Sequence, residues 1–102
     1  MSTESKVRVP DEGEMLAKVT DIVGDDRVKV ICEDGNIRIA RIPGKYRKRM
    51  WIRIGDYLIV APWDFEPSKA DVVYKYEKSE INELRRNSKY SEILNRLDEL
   101  AL

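Results

Sequence analysis

The densest run of basic side chains lies between Arg41 and Arg53, and side chains of this kind can bind a polyanion. The run also contains a Pro-Gly pair, a tyrosine and a tryptophan, and it has no acidic residue. Its six cations are Arg41, Lys45, Arg47, Lys48, Arg49 and Arg53. A lysine or arginine that neutralises a phosphate releases condensed counterions, and arginine also makes bidentate contacts with phosphate oxygens. The segment therefore predicts a nucleic-acid-binding surface, with RNA as the expected ligand.

Charge is separated along the chain although the formal net charge is zero. The 102 residues include 19 basic and 19 acidic side chains. Residues 27–53 hold nine basic side chains against Glu33 and Asp34, so this part has a charge of +7 and the rest sums to −7. Such separation creates a local positive field that attracts a polyanion.

Alternation of polar and apolar residues predicts the strands that position these cations. In the segment 27–32, Val28 and Val30 point to one face, and Arg27 and Lys29 point to the other. The two cations would then extend the basic surface onto a sheet. The alternative is that they form only the solvated face of a half-buried sheet.

Five short strands are predicted in all, at 15–23, 27–32, 36–42, 57–61 and 70–76. Asp34-Gly35 is the strongest hairpin signal, because glycine accepts the positive φ of a primed turn. Good helix formers at 45–50 predict a short helical turn between the third and fourth strands. Five antiparallel strands with this insert are the layout of an OB-fold, a mainly β barrel whose second and third strands bind oligonucleotides. Arg38 and Arg41 on the third strand are then expected beside the cations of the second.

Three aromatic side chains could stack on unpaired bases. Tyr46, Trp51 and Trp63 lie beside or within predicted loops, and stacking is worth about 1–3 kcal/mol per base. Trp51 also precedes an apolar strand and could instead be a core residue. Tyr74 and Tyr76 are in step with Val72, which favours core packing over stacking for both.

Helical periodicity replaces alternation from about residue 78. A first helix is predicted from a Ser79 cap through Arg85, and a second from 91 to 102 after a break at 87–88. The apolar side chains of the second helix would either pack on the barrel or bind a groove of another protein. They are Ile93, Leu94, Leu97, Leu100 and Leu102.

The expected organisation is a flexible arm at 1–13, an OB-fold RNA-binding domain at 14–77 and a helical extension at 78–102. With no histidine and the single cysteine Cys32, the usual zinc and haem ligand sets cannot be assembled, and no internal disulfide can form. We therefore expect no metal or other cofactor. No glycine-rich phosphate loop or nucleophile motif is present, so an enzyme is not expected.

The expected compartment is the cytoplasm. No apolar run approaches the roughly 20 residues of a membrane-spanning helix, and the first residues lack the apolar stretch of a signal peptide. We expect a monomer that does not associate with membranes.

Three blocks of the sequence resemble the archaeal and eukaryotic translation initiation factor 1A family. They are Gly44–Ile52, Gly55–Val60 and Lys69–Tyr76. The resemblance extends from about residue 14 to residue 76, and the Asp34-Gly35 hairpin also matches. The compact ends of the chain resemble the archaeal branch, because the eukaryotic proteins have long charged tails.

The resemblance implies a factor that binds the small ribosomal subunit at its A site and contacts ribosomal RNA of the decoding region. It further implies that initiator tRNA binding and start-site selection are favoured, together with other initiation factors, without catalysis. The RNA-facing residues implied by the family motif are Arg41, Lys45, Arg47, Lys48, Arg49 and Trp51, with Arg27, Lys29 and Arg38 on the sheet face. The C-terminal end would contact the initiation GTPase, factor 5B.

Two other functions remain open at this point. One is a generic binder of single-stranded nucleic acid. The other is an adaptor that acts mainly through its C-terminal apolar helix.

Overall fold

Five strands, one 3₁₀ turn and two helices form the described part of the chain. The computed structural model describes residues 7–46 and 51–102. The strands are β1 (Met15–Gly24), β2 (Arg27–Cys32), β3 (Ile37–Arg41), β4 (Tyr57–Pro62) and β5 (Lys69–Lys75). The 3₁₀ turn is Gly44–Tyr46, and the helices are α1 (Lys78–Leu84) and α2 (Ser88–Leu100). Each end of each strand lies within one residue of its predicted position, so the prediction of five strands is confirmed.

The five strands close a barrel in the order β1-β2-β3-β5-β4. Every neighbouring pair is antiparallel except β3 and β5, which run parallel with Ala40 opposite Ala70. The prediction that all five strands are antiparallel is therefore wrong for this pair. The reason is geometric, because an odd number of strands cannot close a ring through antiparallel pairs alone.

One core fills the interior of the barrel. Its buried members are Ala17, Val19, Val28, Val30, Cys32, Ala40, Ile42, Leu58, Val60, Ala70 and Val72. Val28 and Val30 are 1% and 0% exposed, whereas Arg27 and Lys29 are exposed. The alternation predicted for β2 is thus confirmed, and it places both cations on the outer surface.

A second core lies between the outer surface of the barrel and the two helices. It is formed by Leu16, Ile31, Ile59, Tyr76, Ile81, Leu84, Leu94 and Leu97. Leu94 and Leu97 are fully buried, whereas Leu100 and Leu102 are exposed. The apolar face of α2 therefore packs on the barrel. This corrects the assignment of Leu94 and Leu97 to a partner-binding surface, since neither is accessible to a partner in this structure.

Both helices begin at polar residues, although not at the predicted ones. The N-cap of α1 is Glu77, whose backbone N–H donates to the Glu80 carboxylate at 2.7 Å. Ser79 lies inside that helix, so its predicted capping role is wrong. The side chain of Asn87 caps α2, because its Oδ1 accepts from the N–H of Lys89 at 2.9 Å. The second helix consequently starts three residues before its predicted start.

A β-bulge in β5 separates Val72 from the tyrosines that follow it. Ile59 of β4 pairs with Tyr74, while the next residue, Val60, pairs with Val72. Val72 therefore faces the barrel interior, and Tyr74 and Tyr76 pack in the second core. The prediction of a shared face is wrong, because the bulge adds one residue to β5. Core packing of Tyr76 is confirmed, since it is 4% exposed.

Candidate nucleic-acid interface

The outer face of β2 and β3 presents three exposed cations. Arg27 lies directly opposite Arg41 in the antiparallel register, and Lys29 follows on the same face of β2. The Arg27 side chain keeps 57% of its surface exposed even though its Nε lies 3.4 Å from the carboxylate of Asp26. Like charges directly opposite each other destabilise a sheet. This arrangement therefore favours a binding role over a purely structural one.

Arg38 lies on the opposite face of β3 from these cations. It pairs with Val30, whose side chain faces the interior, and only 6% of Arg38 is exposed. The prediction that Arg38 shares the sheet face of Arg27 and Lys29 is wrong, because an odd separation in β3 places residues 38 and 41 on different faces. Arg38 is thus not available to an RNA in this structure.

The guanidinium of Arg38 instead joins two loops. Its two terminal nitrogens donate to the two carboxylate oxygens of Asp34 at 3.0 and 2.9 Å, and its Nε donates to the Pro67 carbonyl at 2.7 Å. The hydrogen bonds from Arg38 hold the pKa of Asp34 below its ordinary value, outweighing the effect of burial. Arg38 therefore fixes the β2–β3 hairpin against the loop between β4 and β5.

Trp51 is an exposed ring on an anchored backbone. Its surface is 76% exposed, which excludes the alternative that it belongs to the core. The Nζ of Lys75 donates to the backbone carbonyl of Trp51 at 2.6 Å. The same ammonium lies 3.8 Å from the carboxylate of Asp56. An exposed flat ring on a backbone fixed in this way is available to stack on a base.

A tight turn at residues 53–56 presents Arg53 beside this tryptophan. The carboxylate of Asp56 accepts from the backbone N–H of Arg53 at 2.8 Å, and Gly55 has a φ of +95° that favours glycine. The N–H of Gly55 also donates to the Val19 carbonyl at 2.8 Å, which ties the turn to β1. Arg53 and its neighbour Ile54 are exposed as a result.

The described structure contains both ends of the basic segment 41–53. Lys45 is exposed in the 3₁₀ turn, and Tyr46 ends that turn. This turn agrees with the start of the helical turn predicted at 45–50. The remaining predicted cations, Arg47, Lys48 and Arg49, lie outside the described residues.

Trp63 occupies different surroundings from Trp51. It lies in the loop between β4 and β5 next to Asp64, and Asp71 and Glu66 line the same groove. The ammonium of Lys69 is 5.7 Å from the centre of its ring. Because carboxylates repel phosphate, these surroundings favour RNA binding less than those of Trp51 do.

Sequence reasoning missed Lys75 and Asp56, the two residues that position Trp51 and Arg53. Asp56 lies just before the strand predicted at 57–61, and the sequence alone assigned it no role. The chain offered one signal for Lys75, since it interrupts the run of tyrosines in β5 and should therefore face away from them. Its contact with residue 51 joins segments 24 residues apart in the chain, which periodicity does not reveal.

Within residues 7–46 and 51–102, no three or more His, Cys, Asp or Glu side chains converge as metal ligands would. Among the helices described here, none is long and apolar enough to cross a membrane.

Comparison with known proteins gives one consistent result. The family model for translation initiation factor 1A / IF-1 matches residues 4–98. Translation initiation factor 1A of Pyrobaculum aerophilum is 51% identical over 100 residues, which are 98% of this chain and 87% of that protein. The factor of the same name from Methanopyrus kandleri is 47% identical over 95 residues, covering 93% of this chain and 86% of its own length.

Two solved structures share the fold. The solution structure of translation initiation factor 1 from a Wolbachia endosymbiont of Brugia malayi has a TM-score of 0.50 at 21% identity, covering 78% of this chain and 92% of that one. YjeQ from Thermotoga maritima has a TM-score of 0.53 at 18% identity, covering 63% of this chain and 23% of that one. At these identities the likeness concerns the OB-fold barrel alone. The family match and the high identity to archaeal factors go further, and they show that this chain belongs to the translation initiation factor 1A family.

Proposed function

We propose that this protein binds the A site of the small ribosomal subunit and contacts ribosomal RNA of the decoding region. Membership of an initiation factor family implies association with the ribosome. In this proposal the protein acts in the cytoplasm as an RNA-binding monomer and not as an enzyme. It favours initiator tRNA binding and start-site selection together with other initiation factors.

The exposure of Trp51 is the observation that supports this proposal best. An exposed indole loses the stabilisation that burial of its large apolar surface would provide. Here the ring is 76% exposed, yet its backbone is held by a 2.6 Å hydrogen bond from Lys75. Stacking on one base would contribute about 1–3 kcal/mol to binding. The hydrogen bond from Lys75, whose ammonium also lies 3.8 Å from Asp56, fixes the backbone that carries the ring before the RNA arrives, which lowers part of the entropic cost of binding.

The exposed cations supply the electrostatic part of binding. The proposed contacts are Arg27, Lys29, Arg41, Lys45 and Arg53 in the described structure, with Tyr46, Arg47, Lys48 and Arg49 assigned from the sequence motif. If about five to seven cations reach phosphates, the slope of log affinity against log salt should be about −3.5 to −6. Arg38 is left out because its guanidinium is buried against Asp34.

Charge reversal tests this surface. We expect Arg27→Glu combined with Arg41→Glu to weaken binding to purified small subunits by about tenfold or more, because two phosphate contacts become repulsive. The matched control is Arg86→Glu combined with Arg96→Glu, since both arginines are exposed on the helical side of the molecule. Fluorescence anisotropy of the labelled protein measures both affinities. Equal losses of affinity for the two double variants would show that binding depends on the net charge of the protein and not on this surface.

A second contact is proposed for the end of α2. Leu100 is 45% exposed and Leu102 is fully exposed, whereas Leu94 and Leu97 are buried. We propose that Leu100 and Leu102, with the half-buried Ile93, contact an initiation GTPase resembling factor 5B. Two apolar side chains at one end form a small surface, so the adaptor function is secondary to RNA binding in this account.

A further inference from the structure

The loop between β4 and β5 carries an aromatic surface outside the residues that we propose to contact RNA. Phe65 is fully exposed, and Trp63 lies two residues before it. Together with Ala61 and Pro62 they line an open groove of about 520 Å³. A fully exposed phenylalanine beside the half-buried Trp63 and an open groove forms an apolar surface that a partner can cover.

The polar lining of this groove is acidic. Its charged lining residues are Asp64, Glu66 and Asp71, of which Glu66 is paired with Lys69. This contrasts with the neighbouring strand, where Arg41 lies opposite Asp71 in the parallel pairing of β3 and β5. A phosphate backbone that docks on Arg41 would be repelled by the groove beside it.

The walls of the groove already hold one cation from this chain. The ammonium of Lys69 lies 5.7 Å from the centre of the Trp63 ring and 3.4 Å from the carboxylate of Glu66. Aromatic faces and carboxylates are the groups that bind lysine and arginine side chains from a partner. The ion pair is exposed, with about half of each side chain accessible, so an incoming cation can compete with Lys69 at little cost.

We propose that this groove docks a basic segment of a protein, rich in arginine or lysine, which lies beside the RNA on the small subunit. The partner's cations contact the Trp63 ring and the acidic rim, and its apolar side chains contact Phe65. The location of the partner rests on the proposed ribosomal function, whereas the chemistry of the groove does not. The factor would then hold RNA and protein on adjacent surfaces of one barrel.

Site-specific cross-linking on assembled small subunits distinguishes protein from RNA. A photoreactive benzophenone amino acid replaces Phe65 in one variant and Trp51 in another. We expect the product from position 65 to be digested by protease and to contain a peptide with net positive charge. The product from position 51 should be digested by ribonuclease. RNA at both positions would overturn the groove proposal, and failure at both positions would instead contradict the proposed function.

A peptide test needs no ribosome. The probe is a fluorescein-labelled peptide of about 12 residues that alternates arginine with glycine, compared with an equal one that alternates glutamate with glycine. Phe65→Ala and the double variant Asp64→Lys, Glu66→Lys should each weaken arginine-peptide binding by about fivefold or more. The control is Asp11→Lys combined with Glu12→Lys, which reverses the same charge on exposed residues elsewhere. Equal affinity of all variants would overturn the proposal, as would binding of both peptides alike.

Discussion

The carboxylate of Asp98 on α2 accepts a hydrogen bond from the ammonium of Lys18 on β1 at 2.8 Å. Its other oxygen accepts from Arg85, the C-cap of α1, at 3.2 Å. The hydroxyl of Tyr57 on β4 donates to Asp98 as well. Burial raises the pKa of Asp98, but the hydrogen bonds from Lys18 and Tyr57 outweigh it and hold the pKa below its ordinary value. One side chain thus joins both helices to two strands of the barrel.

Asp98→Asn should loosen the helices from the barrel. The variant removes the negative charge that faces Lys18 and Arg85, and we expect the free energy of unfolding to fall by about 1 kcal/mol because the site is partly exposed. Urea denaturation followed by circular dichroism measures the change. Glu99→Gln is the matched control, since Glu99 is the exposed neighbour on the same helix. An Asp98 variant as stable as the control would show that the network contributes nothing.

Leu97→Ala and Leu102→Ala should separate folding from partner binding. Leu97 is completely buried, so its truncation leaves a cavity and should cost about 2–5 kcal/mol of stability. Leu102 is fully exposed, so its truncation should change stability by less than about 0.5 kcal/mol. In a pull-down with a GTPase resembling factor 5B, we expect Leu102→Ala to weaken binding. Unchanged binding by Leu102→Ala combined with Leu100→Ala would contradict the proposed contact.

Most of the barrel was predictable because local signals determine strand positions. Alternation located β2, and the Asp34-Gly35 pair located the hairpin that follows it. The parallel pairing of β3 with β5 was missed because it depends on the closure of a ring of five strands. The bulge that places Tyr74 on the opposite face from Val72 was also missed, since the hydrophobic pattern does not reveal one extra residue in a strand.

Asp34→Ala should destabilise the protein by leaving the guanidinium of Arg38 without its carboxylate. The Arg38 side chain is 7% exposed, and both of its hydrogen bonds to Asp34 are charge-assisted. We expect a loss of about 1.5–3 kcal/mol in unfolding free energy, measured by chemical denaturation. Asp25→Ala serves as the control because Asp25 is an exposed turn residue. A loss no larger than that of the control would contradict a structural role for the pair.

Acid should weaken the fold through Asp34 and Asp98. The pKa of each lies below the ordinary value of 3.8. A carboxyl group of this kind stabilises the native state fully above its unfolded-state pKa, and the contribution is lost as the pH falls through the folded-state pKa. We therefore expect unfolding free energies that decline below about pH 4. Denaturation at a series of pH values should show a shallower decline for Asp34→Asn combined with Asp98→Asn, and an unchanged profile would contradict this assignment.

The candidate site was predictable where it depends on residue type and hidden where it depends on tertiary contacts. Basic residues around an aromatic one indicated that the segment 41–53 binds nucleic acid. The sequence could not decide whether Trp51 is core or exposed, because that depends on how its segment packs on the barrel, where Lys75 contacts its backbone carbonyl. It also grouped Arg38 and Trp63 with the RNA-binding residues. The burial of Arg38 against Asp34 and the acidic surroundings of Trp63 arise only in the folded protein.

Sedimentation across a salt series tests most directly whether this barrel binds RNA as part of the assembled small subunit. The protein is mixed with purified small subunits or with free single-stranded RNA oligonucleotides, in parallel with Trp51→Ala. We predict saturable one-to-one binding to subunits with a log–log salt slope of about −3.5 to −6, much weaker binding to oligonucleotides, and at least about fivefold weaker subunit binding by Trp51→Ala. Non-saturating binding to both ligands, unaffected by the variant, would contradict the account and leave a generic binder of single-stranded nucleic acid.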